Sequence, residues 1–227
     1  MEQYHITAKE FIYLCLNAGA KKVYGIENEF KNVREENLMT EFSNVQKELI
    51  EKRYMRMDFD GNVTIKKKVL EEIEICALCD RAVMFTASGD KGNKKKNYYF
   101  KGDEVVSLIW SEGNYLLEKV DQTEVFSMLW QDMSIAENMT VKEKISLSVK
   151  QNDVQKALKE RDIRKYGCYS LVQMQKNANK RIQNLLFLET NKGILSVKSR
   201  IVDLDNALDV ESCSMIEVKH LLQKMLK

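Results

Sequence analysis

Near Arg81 the spacing of apolar residues changes from about 3.6 residues to two, and this change restricts the fold more than any other feature of the chain. Before it, Phe11, Leu14, Cys15 and Ala18 recur at helical intervals. So do Leu38, Phe42, Val45 and Leu49, and then Val69, Ile73 and Cys76. Thr7-Ala8-Lys9-Glu10 opens the first helix with a capping box, in which the threonine oxygen accepts an early backbone N–H and the glutamate reaches back to the cap. Asn17-Ala18-Gly19 ends it. The second helix is expected near 36–53 and the third over 66–79, with Asp60-Gly61 turning a hairpin between Met55–Asp58 and Val63–Ile65. After the change, Ala82–Ala87, Tyr98–Lys101, Val105–Trp110 and Tyr115–Val120 read as strands, with turns at Gly102-Asp103 and Ser111–Asn114. Consecutive strands on short turns make an antiparallel meander. The expected class is α+β: a central, mostly antiparallel sheet flanked by helical bundles.

Asp121-Gln122-Thr123-Glu124 and Thr140-Val141-Lys142-Glu143 are further capping boxes. They open a helix through Met133 and helices around 141–150 and 152–161. Residues 168–180 read as helix, and Leu185–Glu189, Ile194–Lys198 and Ile201–Leu204 as strands. A last helix runs from about Val210 to Met225, with Met215, Val218, Leu222 and Met225 on its seam. The order of elements repeats. In each half a helix ends in a charged patch, Glu51–Arg53 or Glu160–Asp162, and a glycine turn follows at Gly61 or Gly167. A further helix, a strand pair closed at Gly113 or Gly193, and an amphipathic helix complete it. This is a degenerate two-fold repeat. The chain is expected to be a single domain over 1–227 with two quasi-symmetric halves: 1–136, helices plus a β-meander with a basic hairpin loop, and 137–227, helices, short strands and a C-terminal helix.

Most catalytic chemistry finds no residues here. There are two histidines, His5 and His220, one near each end, so a His-based metal site or nucleophile–histidine pair has little to draw on. Cys76-Ala77-Leu78-Cys79 lies at the end of a helix, whereas a redox pair needs its first thiol at a helix N-terminus. Cys15, Cys168 and Cys213 are isolated and complete no zinc site. Asp58, Asp60 and Asn62 echo a calcium loop, but its twelfth position would fall on Val69. Ser88–Lys96 holds Gly89 and Gly92 yet leads into a strand, so no helix N-terminus meets a phosphate. The chain is expected to be no enzyme, with no cofactor and no metal. Lys+Arg 36 against Asp+Glu 34 leaves a net charge of +2, which recruits neither nucleic acid nor a membrane. The longest uncharged stretches, Phe11–Ala20 and Tyr166–Gln175, reach about half the ~20 apolar residues of a membrane helix, so no membrane insertion is expected. Met1–His5 has no signal-peptide character, and a cytoplasmic location is expected.

Helix, turn and helix over Leu38–Ile73, beside Lys66-Lys67-Lys68, admit one alternative, a winged-helix-like DNA-binding regulator. Glu35, Glu36, Glu41, Glu48 and Glu51 make the preceding helix acidic, which disfavours nucleic acid.

Several segments carry a family likeness: Ile6–Phe11, the Leu38–Tyr54 helix with its Lys-Glu-Leu and Lys-Arg-Tyr, Asp60-Gly61, Arg81–Thr86, Tyr98–Val106 and the final amphipathic helix. In this order they resemble the EspG-like cytosolic chaperones of type VII (ESX/Ess) secretion systems, in the divergent low-GC Gram-positive branch. The likeness spans essentially the whole chain and is one of element order. It implies a non-catalytic chaperone or adaptor that binds a secreted helical protein in the cytosol and keeps it soluble and export-competent. The secretion ATPase is a second candidate partner. The resemblance further implies that a hairpin loop of the first half and the C-terminal bundle contact the substrate, here Ser88–Lys96 and the 210–226 helix. The partner-binding residues expected are Lys91, Lys94, Lys95, Lys96, Tyr98, Met215 and Leu222. The lysines would form a solvated basic tip beside the aromatic run Tyr98-Tyr99-Phe100, and reversing their charge would leave stability unchanged.

Overall fold

The Thr7 hydroxyl accepts the Glu10 amide at 3.1 Å while the Glu10 carboxylate accepts the Thr7 amide at 2.7 Å, so both bonds of the expected capping box are made. Helix α1 (Ala8–Asn17) follows from that cap. The computed structural model describes residues 2–89, 92–133, 141, 144–150, 158, 163–174, 180–202 and 205–226. The chain divides into two compact units, Met1–Ala82 with Asn97–Gln122 and Val83–Lys96 with Thr123–Lys227. The class is α+β with antiparallel strand pairing, as expected.

In the first unit the strand order is β1 (Gln3–Ile6), β7 (Asn114–Val120), β6 (Glu104–Ser111) and the part of β5 (Gly92–Lys101) from Asn97 onward. β6 and β7 close through Glu112 and Gly113, at φ 49° and 88°. Left-handed backbone at both positions of a two-residue turn matches the twist of the strands it joins. Helix α1 packs on α2 (Glu35–Glu51) and α3 (Lys67–Ala77), and α3 on β6 and β7. Phe11, Leu14, Leu49, Ile73, Tyr98, Tyr99, Leu108 and Leu117 are fully buried, with the Phe11 and Tyr99 ring centroids 5.9 Å apart. Between α2 and α3, β2 (Met55–Met57) and β3 (Val63–Ile65) pair around the expected Asp-Gly turn. The Asp58 carboxylate holds this turn by accepting the Asp60 and Asn62 amides at 3.0 and 2.8 Å.

The segment after α1 is tied to β5 by buried polar bonds. The Tyr99 hydroxyl donates to the Tyr24 carbonyl at 2.6 Å, and the Asn97 amide to the Gly25 carbonyl at 3.1 Å. Gly25 has φ 77°, and a Cβ there would lie 2.6 Å from the Asn97 side chain. Only glycine fits.

The second unit orders its strands β4 (Arg81–Gly89), β9 (Ile163–Met174), β10 (Lys180–Thr190), β11 (Gly193–Val202), β12 (Asp205–Cys213) and β8 (Ser146–Lys150). Leu158, Leu188, Leu195, Val197 and Val210 form a buried cluster on it. Helices α4 (Val125–Met133) and α5 (Met215–Leu226) pack together.

This unit departs most from expectation. Part of the helix expected over 168–180 is strand β9, and part of that around 141–150 is β8. The last helix begins at Met215 rather than Val210, because Val210–Cys213 pair with β11. Strand formation depends on a partner distant in sequence, which local spacing cannot show. Ser214 then caps α5: its hydroxyl accepts the Glu217 amide at 3.3 Å, and its own amide donates to the Glu217 carboxylate at 2.7 Å. Ser214-Met-Ile-Glu217 is the Ser-x-x-Glu signature of such a start. Helix α4 begins at Val125, later than the Asp121 box implies. Most of the 152–161 helix and of the Thr140–Glu143 box lies outside the described residues.

Candidate partner-binding face

The lysine run is built into the second unit and is not the solvated loop tip expected from sequence. Strand β4 extends to Gly89 and β5 starts at Gly92, so Lys94, Lys95 and Lys96 are strand residues. Alternation along a strand puts Lys94 and Lys96 on one face and Lys95 on the other. Lys94 and Lys96 both reach the Asp132 carboxylate of α4, at 2.6 and 2.5 Å, and their side chains keep 29% and 16% exposure. Asp132 itself is buried. Two ammonium groups on one buried carboxylate make a structural clamp between strand and helix. Removing either sign would leave uncompensated charge in poorly solvated surroundings.

Asp132 is the residue that sequence reading misses. Its signal was present, since Val125, Leu129 and Asp132 fall at i, i+4 and i+7 on one helix face. On the same helix, Phe126 and Trp130 stack with centroids 6.2 Å apart, and the Lys219 ammonium of α5 sits 4.7 Å over the Trp130 ring. The two regions singled out from sequence, the lysine run and the C-terminal helix, thus meet through α4.

Their individual residues divide sharply by exposure. Tyr98 is 0% exposed in the first unit and Leu222 is 0% exposed under α5, so both are core side chains. Met215 is half-buried. Ile216, not among the expected contacts, is 81% exposed beside it. Lys219, His220, Gln223 and Lys224 complete the exposed flank of α5, opposite the buried seam of Val218, Leu222 and Met225. Lys95 forms no ion pair among the described residues. Lys91 lies outside the described residues.

Elsewhere the residues considered for chemistry are built into structure. Cys15, Cys76, Cys79 and Cys213 are buried free thiols, and burial pushes Cys79 and Cys213 up to about 11. A thiol held that high is a poor nucleophile at neutral pH. Among the described residues no group of three His, Cys, Asp or Glu side chains is arranged to hold a metal ion. No described helix is long and apolar enough to cross a membrane. Within the basic trio beside α3, Lys68 pairs with Glu2 at 2.6 Å and Lys67 with Glu71 at 3.9 Å. That leaves less positive charge for a phosphate backbone than the sequence suggests.

No protein-family model and no curated protein matches the chain. Among solved structures, the fold is similar to that in a structure of the Mycobacterium tuberculosis type VII secretion system chaperone EspG5 in complex with a PE25–PPE41 dimer. The TM-score is 0.62, with 9% sequence identity, over 99% of this chain and 94% of that one. At this identity the two share an architecture, and the side chains that decorate it are this chain's own.

Proposed function

We propose that this protein is a non-catalytic cytosolic chaperone or adaptor for type VII secretion, which binds a secreted helical protein and keeps it soluble and export-competent. The observation that carries the reading is the likeness of fold, across nearly the full length of both chains, to a secretion chaperone found with its PE25–PPE41 partner. A helical protein awaiting export exposes an apolar face that invites self-association, and a partner that covers it prevents this. The α4/α5 face supports the role. It sets exposed Ile216 and half-buried Met215 beside Lys219 and Lys224, an apolar centre with a basic edge. Lys95 lies on the strand face opposite Lys94 and Lys96, which reach α4, and so is not part of this face.

The test is co-purification of the tagged full-length chain from cells expressing a type VII system. The expected result is a stoichiometric complex with a secreted helical protein, whose aggregation after dilution from denaturant is suppressed by the chain. Ile216→Asp should abolish the complex without lowering the melting temperature, because the side chain is exposed and aspartate is tolerated in a first helical turn. A chain that is recovered alone, and that leaves aggregation of the system's helical substrates unchanged, would overturn the proposal.

A further inference from the structure

A cavity of about 260 Å³ opens in the first unit. It is lined by Glu2 and Tyr4 at the β1 end, by Lys68, Glu71, Glu72 and Ile75 of α3, and by Lys119 of β7. Most of its charges are already matched. Lys68 Nζ donates to one Glu2 oxygen at 2.6 Å and the Tyr4 hydroxyl to the other at 2.8 Å. Lys119 donates to Glu104 of β6, outside the lining, and Glu71 faces Lys67. Glu72 is left over. It is 9% exposed, its Oε2 is buried with no hydrogen-bond partner, and it forms no ion pair among the described residues. Burial pushes its carboxyl up to about 7; Lys119 opposes the shift, and Glu2, Glu118 and Glu71 add to it.

A buried carboxylate without a cation costs free energy that an incoming cation would recover. Three carboxylates against two ammonium groups line the cavity, so one monovalent cation balances it. Tyr4 and Ile75 in the lining suit an organic cation, which brings an apolar stem as well as a charge. The Tyr4 ring and Ile75 offer apolar wall to an alkyl stem, and a carboxylate–ammonium hydrogen bond supplies the polar end. We infer that this cavity receives one alkylammonium group, with Glu72 as its counter-ion and the stem against Tyr4 and Ile75. A lysine side chain of a bound protein segment and a free amine share this chemistry.

Proton and ammonium compete for the same carboxylate, so binding should be about tenfold weaker at about pH 6 than at about pH 8. In that window the mutual hydrogen bonds that lower Glu2 and raise Lys68 keep both charged, and Lys119 likewise lowers Glu104. Glu71, Glu118 and Lys119 are the other charged groups that face Glu72. The experiment is a carbon NMR titration of the glutamate carboxyls in the full chain, with n-butylammonium chloride at constant ionic strength and sodium chloride as control. The Glu72 midpoint should fall saturably with n-butylammonium and stay fixed with sodium. Glu72→Gln should remove saturable binding while the chain stays folded. A midpoint that n-butylammonium does not move overturns the inference, whatever the variant does, and so does binding that survives Glu72→Gln. Parallel titrations with N-acetyl-lysine methylamide and putrescine separate the sources. Tighter binding of the lysine amide assigns the cavity to a protein segment, and tighter binding of putrescine to a free amine.

Discussion

Glu72 and Asp132 occupy comparable places on their helices. Glu72 lies three residues after Val69 and four before Cys76, and Asp132 three after Leu129, so each carboxylate sits on an apolar stripe. Both are buried, but among the described residues Asp132 holds two lysines and Glu72 holds none. The consequence for Glu72 has a definite sign. Its carboxyl is raised to about 7 in the folded chain from an ordinary value of 4.5, so between those values the folded state binds more protons than the unfolded state. Stability therefore falls as pH rises through that interval, and above it the full penalty is present. Glu72→Gln should stabilise the chain at about pH 8 by on the order of 1–3 kcal/mol and change little at about pH 4. Urea denaturation at the two pH values measures this, and an equal effect at both would show that Glu72 titrates normally. Gly25 makes a second prediction of this scale. A Cβ at φ 77° would be strained and would press 2.6 Å from Asn97, so Gly25→Ala should cost on the order of 2 kcal/mol. Combining it with Asn97→Ala should recover only the part due to the clash, as read from melting curves of the single and double variants.

Elements built by near neighbours are legible in sequence, and elements built by distant ones are not. Helix α1 follows from Thr7, Glu10 and its apolar stripe; the β2–β3 and β6–β7 turns follow from Asp60-Gly61 and Glu112-Gly113. Ser146-Leu-Ser-Val-Lys150 alternates as a strand should, yet a nearby capping pattern outweighs five alternating residues. Strand β9 has no such local signal strong enough to decide it. It is defined by eleven paired positions along β10, from Ile163 opposite Thr190 to Met174 opposite Lys180. The candidate face divides in the same way. That Lys94–Lys96 are basic is plain from sequence, but Asp132 is 38 residues beyond Lys94 and only the fold brings it there. Lys94→Glu with Lys96→Glu should accordingly destabilise the protein by on the order of 3 kcal/mol or more, since three carboxylates would then share a poorly solvated site. Lys95→Glu, on the opposite strand face, should shift the melting temperature little. Calorimetry on the two variants tests the clamp directly: equal, small effects would return the run to the solvated tip expected from sequence. At the start of α5, Ser214→Ala removes one bond of a cap and should cost about 1 kcal/mol.

The charges of the chain are balanced in number, and several of them are paired in space among the described residues. Net charge is +2. Lys9 pairs with Glu41, Lys52 with Glu10, Lys68 with Glu2, Lys119 with Glu104, and Lys94 and Lys96 with Asp132. A reader of duplex DNA needs the opposite, a stripe of cations free to displace counter-ions from phosphate. Each phosphate neutralised steepens the dependence of affinity on salt by about 0.9 in the log–log slope, so six to ten contacts lose about 10³–10⁵ in affinity between about 50 and 200 mM. A protein partner held mainly by an apolar centre loses far less, because burial of apolar surface does not depend on screening at those concentrations. The full chain should therefore pass unretained over immobilised duplex DNA at about 50 mM salt, whereas the complex with a helical secreted protein proposed above should weaken less than about tenfold on moving to about 200 mM. Retention on DNA at the lower salt that collapses at the higher would favour the winged-helix reading of α2, β2, β3 and α3 instead. It would also mean that the ion pairs of Lys67 and Lys68 open to admit phosphate. Each pair includes a lysine that is largely exposed, so this exchange is structurally accessible, and the salt titration decides between the two functions.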